Sequence, residues 1–210
     1  MSGTKAADPA ALASALAANS ERPMRADARR NYERLLREAA AAFAERGADD
    51  VSLEEIARRS CVGIGTLYRH FPTRQALLEA VYRDQVEELC AVARELPGEA
   101  PPEQALERWL RALMAFATTK KNLSSSLMSG PNKSEVATSC SAMVREAATK
   151  LLAEAQQTGQ VRADVDAVDL LHMSHALAIA ADLPYSHPDQ GERLMSVLLA
   201  GLRPQPADQA

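Results

Sequence analysis

A pair of short helices joined by a tight turn, within residues 52–74, constrains the fold of this chain more than any other feature. Ser52 and Glu55 fit a capping box, in which a hydroxyl and a carboxylate satisfy free backbone N–H groups where a helix begins. Residues 61–63, which end in glycine, then interrupt the helical pattern before it resumes. The spacing therefore predicts two helices that pack across a turn.

The second helix of this pair is polar on all but one narrow stripe. Leu67 and Phe71 lie on one side at i, i+4 spacing, and Pro72 ends the helix. The other positions carry Gly, Thr, Tyr, Arg and His, whose polar groups are phosphate ligands and whose glycines let a backbone approach a surface. This pattern favours a helix-turn-helix that enters the DNA major groove. A surface hairpin with a solvated face is the alternative.

The segment from 39 to 81 resembles the DNA-binding domain of TetR-type (TetR/AcrR) transcriptional regulators. The similarity rests on residues at fixed spacing, namely Phe43, Gly47, Ser52, Ile56, Ala57, Val62, Gly65 to Phe71, Arg74, Leu77 and Leu78. Further along, residues 159–164 are similar to the family's entry into its last two helices. The resemblance implies a TetR-like, all-α fold of about nine helices, with a helix-turn-helix domain followed by a ligand-binding and dimerisation domain.

We predict DNA contacts from the recognition helix and from basic residues around it. Ile64 contacts a thymine methyl or fills the core, and Thr66 binds phosphate or a base. Tyr68 and His70 bind phosphate, with a satisfied surface histidine as the alternative for His70. Arg69 reaches backbone or base, and the resemblance assigns Arg74 to clamping the DNA backbone. The predicted DNA-binding residues are Arg25, Arg29, Arg30, Ser52, Gly63, Ile64, Gly65, Thr66, Tyr68, Arg69, His70 and Arg74.

Two positions depart from the family pattern. Cys61 stands where a glycine usually makes the turn, and Gly63 stands where serine is frequent. We therefore expect strain at Cys61 if the turn needs a positive φ, because a side chain disfavours that conformation. Cys61 is interpreted as a small buried hydrophobe, with redox sensing as the alternative.

Charge and cysteine content exclude several classes of protein. The net charge is −4, so nucleic-acid binding has to rely on local basic clusters. Three cysteines without a Cys-x-x-Cys pairing argue against a disulfide framework or a zinc site. No apolar run reaches membrane-spanning length and no signal peptide is evident, so we expect a cytoplasmic protein without a membrane contact, a metal or another cofactor.

Breaks in composition divide the chain into four parts. We expect a disordered arm over 1–23, the helix-turn-helix domain over 24–72, the regulatory domain over 73–203 and a disordered tail over 204–210. The helices outside the central pair are predicted at 26–46, 73–96, 103–120, 123–129, 134–158, 166–182 and 189–202.

The last two helices are the predicted dimer interface, because a two-fold dimer matches a pseudo-palindromic DNA site and the resemblance pairs these helices. Ordinary core is the alternative for their apolar stripes. The predicted interface residues are Leu170, Leu171, Ser174, Leu177, Leu194, Val197 and Leu198.

An apolar cavity for a small effector is predicted in the same domain, with ordinary core again as the alternative. Its predicted lining is Trp109, Leu113, Phe116, Leu127, Met128, Met143, His172, Met173 and His175. The two histidines share a helix face but lack a third ligand at a recognisable spacing, so we predict no metal site.

The sequence thus predicts a regulator that binds double-stranded DNA as a homodimer, represses transcription and is released by a small molecule. Two alternatives remain at this point. One is an enzyme that carries a DNA-binding module, although no catalytic constellation stands out in 103–200. The other is a ligand-binding or scaffolding protein that no longer binds DNA.

Overall fold

In the part of the chain that the structure describes, all regular secondary structure is helical. The computed structural model describes residues 26–128, 135–183, 187 and 189–204, and for 26 and 118–128 it describes the backbone alone. Within these ranges there are eight α-helices, one 3₁₀ turn (Leu96–Gly98) and no strand. The helices are α1 (Ala26–Arg46), α2 (Leu53–Arg59), α3 (Ile64–His70), α4 (Arg74–Glu95), α5 (Pro102–Met128), α6 (Glu135–Gln157), α7 (Ala167–Ala181) and α8 (Gln190–Gly201). The prediction of an all-α fold is confirmed.

Helices α1 to α3 form an N-terminal unit around a small apolar core. Leu35 and Phe43 of α1 are fully buried, as are Ile56 of α2 and Leu67 of α3. Helix α1 ends at Gly47, whose φ of +84° is the left-handed conformation that glycine adopts without strain. The Gly47 N–H donates to the Phe43 carbonyl at 2.9 Å, which closes the last turn.

Helix α4 connects the two halves of the chain. The Thr73 hydroxyl accepts a hydrogen bond from the Ala76 N–H at 3.1 Å and caps the start of the helix, as the sequence predicts. Leu77, Leu78 and Val81 are buried, and the helix packs against α1 on one side and against α5 and α6 on another. A displacement of α4 would therefore change the helix packing in both halves of the chain.

Helices α5 to α8 form the C-terminal unit. Trp109 of α5 is fully buried, and its Nε1–H donates to the Leu89 carbonyl of α4 at 3.1 Å. Arg111 of α5 forms an ion pair with Glu192 of α8 at 2.8 Å. One continuous apolar core joins this unit to the N-terminal unit through α4.

The separate short helix predicted at 123–129 is wrong. Residues 102–128 form the single helix α5, so the described residues hold one helix fewer than the nine expected. The physical reason is that residues 103–128 contain neither glycine nor proline, so nothing in the backbone stops the helix.

Some expectations fall on parts of the chain outside the described residues. These are the arm at 1–23, nearly all of the tail at 204–210, and the turn at 130–132. Among the helices that can be described, none combines the length and the hydropathy that crossing a membrane requires.

Candidate nucleic-acid interface

The start of α2 is fixed by Ser52. Its Oγ accepts a hydrogen bond from the Glu55 N–H at 3.1 Å, which confirms half of the predicted capping box. The other half is replaced, because the Glu55 carboxylate forms an ion pair with Arg46 of α1. The hydrogen bond from Arg46 lowers the pKa of Glu55 below its usual value. Glu55 therefore links α2 to α1 instead of closing its own helix.

The turn between α2 and α3 has the geometry of a Schellman motif. The Cys61 N–H donates to the Arg58 carbonyl at 3.1 Å, and the Val62 N–H donates to the Ala57 carbonyl at 2.9 Å. Cys61 occupies the left-handed position of this motif with a φ of 51°, and it is the one non-glycine residue with positive φ in the described chain. The positive φ anticipated from the sequence is confirmed, and its cost is intrinsic to the turn. The interpretation of Cys61 as a buried hydrophobe is wrong, because this left-handed turn position leaves the residue exposed.

Helix α3 buries one side and exposes the other. Leu67 and Phe71 are buried, as the i, i+4 spacing predicts. Ile64 is 40% exposed and Tyr68 is 44% exposed, so the alternative of Ile64 as core filling is excluded. Single exposed apolar side chains are common on protein surfaces, so Ile64 and Tyr68 indicate a contact surface only together with the glycines and polar groups beside them.

Glycines and polar side chains complete the exposed side of α3. At Gly63 and Gly65 a Cβ atom would have no neighbour within 4 Å, so both positions leave open surface where a second backbone can approach. Arg69 is exposed and Thr66 is half-buried. We call the exposed residues of 63–70 the reading face.

His70 lies at the edge of the reading face and is held by rings. Its imidazole meets Tyr32 edge-on with ring centroids 5.8 Å apart, and Tyr32 in turn packs on Phe71 at 5.2 Å. His70 is half-buried as a result. This packing restricts the rotation of the imidazole, and the predicted phosphate contact of His70 stays a prediction.

The predicted basic residues differ in what they contact. Arg29 and Arg30 are exposed and pair with Glu33 (2.9 Å) and Asp27 within α1. Arg25 lies outside the described residues. Arg69 makes no ion pair with any side chain that the structure describes, which leaves its charge available on the reading face.

Arg74 is directed into the protein. Its Nη1 donates to the Val51 carbonyl at 2.6 Å, just before α2 begins, while its Nη2 is buried without a hydrogen-bond partner among the described residues. Arg74 thus ties the first residue of α4 to the helix-turn-helix. The DNA-clamping role implied for it by the resemblance stays a prediction.

An ion-pair brace that sequence reasoning missed holds α1 and α2 together. Arg59 donates two hydrogen bonds to the Glu45 carboxylate, at 2.7 and 2.9 Å, and lies 3.6 Å from Glu38. The hydrogen bond from Arg59 lowers the pKa of Glu45. The two residues are 14 positions apart, so only the crossing of the helices reveals the pairing.

The residues predicted to line one effector cavity are not brought together. Trp109 and Leu113 are buried in the core, while Phe116 and Met143 lie in two different surface grooves. Three others are exposed on the outside of α7, namely His172, Met173 and His175. The side chains of Leu127 and Met128 are outside what the structure describes.

The residues predicted for the dimer interface differ in how far they are buried within the subunit. Leu170 and Ser174 are buried within the subunit, and four others are partly buried: Leu171, Leu177, Leu194 and Leu198. Val197 is 70% exposed. Sequence reasoning missed further exposed apolar side chains on α7 and just after it, which are Val168, Ile179 and Leu183. Among the described residues no group of three potential metal ligands is found.

Two sequence-family profiles match the chain. The one described as bacterial regulatory proteins, tetR family, matches residues 35–81, which include the whole helix-turn-helix. The one described as transcriptional regulator SbtR-like, C-terminal domain, matches residues 101–204. The two matches therefore cover both halves of the molecule.

Solved structures and a curated relative agree with these profiles. A TetR transcriptional regulator of Streptomyces coelicolor is 37% identical, with a TM-score of 0.69 over 82% of this chain and 98% of that one. A TetR transcription regulatory protein of Mycobacterium vanbaalenii is 38% identical, with a TM-score of 0.70 over 87% of this chain and 100% of that one. An HTH-type transcriptional regulator of Staphylococcus aureus is 28% identical over 111 residues, which are 52% of this chain and 60% of that relative's length.

Proposed function

The chain belongs to the TetR family of DNA-binding transcriptional regulators, which are not enzymes, and we propose that it is a homodimeric repressor released from a pseudo-palindromic operator by an organic effector. The observation that carries the proposal is the reading face. Ile64 and Tyr68 stand exposed on a helix whose other side is anchored by buried Leu67 and Phe71.

On this proposal, α3 enters the major groove with its N-terminal end toward the bases. Ile64 contacts a thymine methyl, and Gly63 and Gly65 let the helix backbone come close to the DNA. Thr66, Tyr68 and His70 bind phosphate and set the register, and Arg69 reaches backbone or base. Ser52 and Arg25 add phosphate contacts, and Arg29 and Arg30 add others when they exchange their carboxylate partners for DNA.

Two copies are needed to read a pseudo-palindromic operator, because one short helix makes too few contacts for specific binding. We propose that the pairing surface consists of the exposed apolar side chains of α7 and α8. Val168, Ile179 and Val197 are the side chains that support this assignment, since burying them against a second copy removes apolar area from water. Leu170 and Ser174 then act within each subunit as core that positions the pairing helices.

Release requires a second state of the dimer in which the two reading faces are wrongly spaced. Helix α4 is the element that links the C-terminal unit to the helix-turn-helix, through Arg74 and Val51 at its start and through Leu89 and Trp109 near its end. An effector that binds one position of α4 more tightly than the other shifts the equilibrium by that difference in affinity. Because its target is chromosomal DNA, the proposed location of the protein is the cytoplasm.

The operator can be found without knowing the regulated genes. Full-length protein is used to select sequences from a pool of random duplexes, and the selected duplexes are titrated by fluorescence anisotropy. We expect a consensus with two inverted half-sites. Arg69→Ala is expected to weaken binding and to reduce the salt slope by about 1, since one phosphate contact is lost. Arg94→Ala, which removes an equal charge from the exposed far part of α4, serves as the matched control.

The sign of regulation is tested by placing the selected operator over a promoter that drives a reporter. Repression predicts lower reporter output when the wild-type protein is present and normal output with Tyr68→Ala. Higher output with the wild-type protein would mean an activator. A selection that returns no consensus, or a single half-site bound by a monomer, would contradict the proposed dimeric reading.

A further inference from the structure

A groove between α4 and α5 is not used by any role assigned above. Its volume is about 290 Å³, near the lower end for a small-molecule site. Leu89 and Val92 of α4 and Ala112 and Ala115 of α5 form its apolar walls. Phe116 lies at one end and is partly exposed.

The polar groups that line this groove are a carboxylate and an amide. Glu88 contributes the carboxylate from the exposed side of α4. Gln85, one turn earlier on the same helix, contributes the amide, and its Oε1 is buried without a hydrogen-bond partner among the described residues. An unpaired buried acceptor costs free energy that a donor would recover. The Gln85 side chain is half-buried, and a rotation about its terminal bond, which exchanges the amide oxygen and nitrogen, would present the oxygen to a donor in the groove.

Positive charge is missing from the part of the lining that the structure describes, and arginines of the same helices, such as Arg94 and Arg108, lie outside it. The aromatic component is present, since Phe116 lies beside Tyr82 with ring centroids 6.0 Å apart. A ring face attracts a cation placed within about 6 Å of its centre. Carboxylate, amide oxygen and aromatic ring are thus all complementary to a ligand that is positively charged and donates hydrogen bonds.

We propose that this groove binds a small aromatic amine in its protonated form. The ammonium group lies between Glu88 and Gln85, and the ring packs against Phe116 and the apolar walls. The second half of the inference rests on the function proposed above: such an amine is the effector, because it binds on α4. Residues Gln85 and Glu88 lie on the same helix that begins at Arg74, about 17 and 21 Å from its start at 1.5 Å per residue.

The binding half is tested with 2-phenylethylamine as the probe, in the absence of DNA. Trp109 is the one tryptophan of the chain, and its Nε1–H donates to the carbonyl of Leu89, a wall residue. The fluorescence of Trp109 is therefore expected to change when a ligand binds in the groove. We expect saturable binding at pH 7 that is roughly tenfold tighter than binding of 2-phenylethanol, and no binding of 3-phenylpropionate.

Variants distinguish recognition of the ammonium charge from nonspecific apolar binding. Glu88→Gln and Gln85→Leu are each expected to weaken the amine roughly tenfold, since each removes one of the two acceptors. Glu87→Gln is the matched control, because Glu87 is the adjacent exposed carboxylate of α4 and does not line the groove. It is expected to change affinity by less than about twofold. Circular dichroism of each variant confirms that the fold is retained.

Equal binding of the amine and the alcohol, equal losses in Glu87→Gln and Glu88→Gln, or no saturation at all would overturn the assignment of the groove. The effector role is measured separately, as the release of a selected operator duplex by 2-phenylethylamine from the wild-type protein but not from Glu88→Gln. Amine binding without release would overturn that role alone. Failure of the protein to bind any duplex would contradict the proposed function, while the amine titration would still decide the groove.

Discussion

The N-terminal and C-terminal units hold their helices in place by different kinds of interaction. In the N-terminal unit, side chains fix the helix ends and ion pairs fix the crossings, as with the Ser52 cap and the Arg59–Glu45 brace. The C-terminal unit also has a capped helix, α7, and an ion pair between helices, Arg111–Glu192. Its longer helices nevertheless pack mainly through apolar faces around Trp109, and apolar side chains remain exposed on α7 and α8. The first unit therefore relies more on polar contacts, whereas the second relies more on apolar packing.

On the proposed function, this difference would separate recognition from response. The caps and ion pairs of the N-terminal unit would hold the reading face in one geometry. A shift of the longer C-terminal helices would be transmitted by α4, because α4 packs in both units. The following predictions test that division.

The largest expected effect comes from Trp109, which packs α5 against α4 in the shared core. Trp109→Ala removes a fully buried ring and its hydrogen bond to Leu89, and we expect it to destabilise the protein by about 3–5 kcal/mol. Because one apolar core continues through α4, urea unfolding should remain a single transition with a lower midpoint. Trp109→Phe, which keeps most of the volume, should lose less. Two separated transitions, with only one shifted, would break the picture of a shared core.

The next effect tests the unpartnered surface. Val197→Glu places a charge on the most exposed large apolar side chain of α8, where pairing of two copies would bury it. We expect the dimer dissociation constant in sedimentation experiments to rise at least about 100-fold. Ala142→Glu adds the same charge to the exposed face of α6 and is the control. A Val197→Glu protein that remains fully dimeric would show that the pairing surface lies elsewhere.

A pH effect should separate buried from exposed tyrosines. Burial raises the pKa of Tyr82 on α4 to about 12, from an ordinary value of 10.0. Its contribution to stability is fully present below pH 10 and is lost as pH rises through 12, because the unfolded phenol ionises first. The loss is about 2–3 kcal/mol. Denaturant titrations at pH 9 and near pH 12 should show that Tyr82→Phe is less sensitive to alkali than the wild type, whereas Tyr68→Phe, altered at an exposed ring, keeps the wild-type sensitivity.

The smallest expected effect is a gain of stability in the turn before α3. Cys61→Gly removes the cost of about 1–2 kcal/mol that a side chain incurs in the left-handed conformation. Part of this gain is lost because glycine raises the conformational entropy of the unfolded chain. We expect a net stabilisation of about 0.5–1 kcal/mol in thermal unfolding, with Cys61→Ala close to the wild type. A destabilised Cys61→Gly protein would show that the thiol packs usefully in the turn.

Most of the N-terminal unit is predictable from the sequence because its signals are local. Ser52, Thr73 and Gly47 each mark a helix boundary by chemistry that acts within four residues, and the structure has all three in those roles. The Arg59–Glu45 brace is not predictable in this way, because it depends on how two helices cross. The separate helix predicted near residue 123 shows the opposite error, because it places a break where neither glycine nor proline interrupts the helix.

The C-terminal unit is less predictable for a physical reason that α7 illustrates. This helix is apolar around most of its circumference, so periodicity cannot say which of two apolar faces lies inside. Leu170 and Ser174 turn out to be buried in the subunit, whereas Ile179 is exposed. Which face of α7 would contact a second subunit depends on that subunit as well. The hydrophobic pattern of one chain does not distinguish an interface stripe from a core stripe.

The central claim is that the exposed residues of 63–70 read duplex DNA, and one titration tests it most directly. A selected operator duplex, labelled for fluorescence anisotropy, is titrated with the wild type, Tyr68→Ala and Arg94→Ala. We expect Tyr68→Ala to bind at least about tenfold more weakly, with its thermal stability unchanged, and Arg94→Ala to bind like the wild type. Full operator affinity in Tyr68→Ala would contradict the account, because the most exposed ring of the reading face would then have no part in recognition.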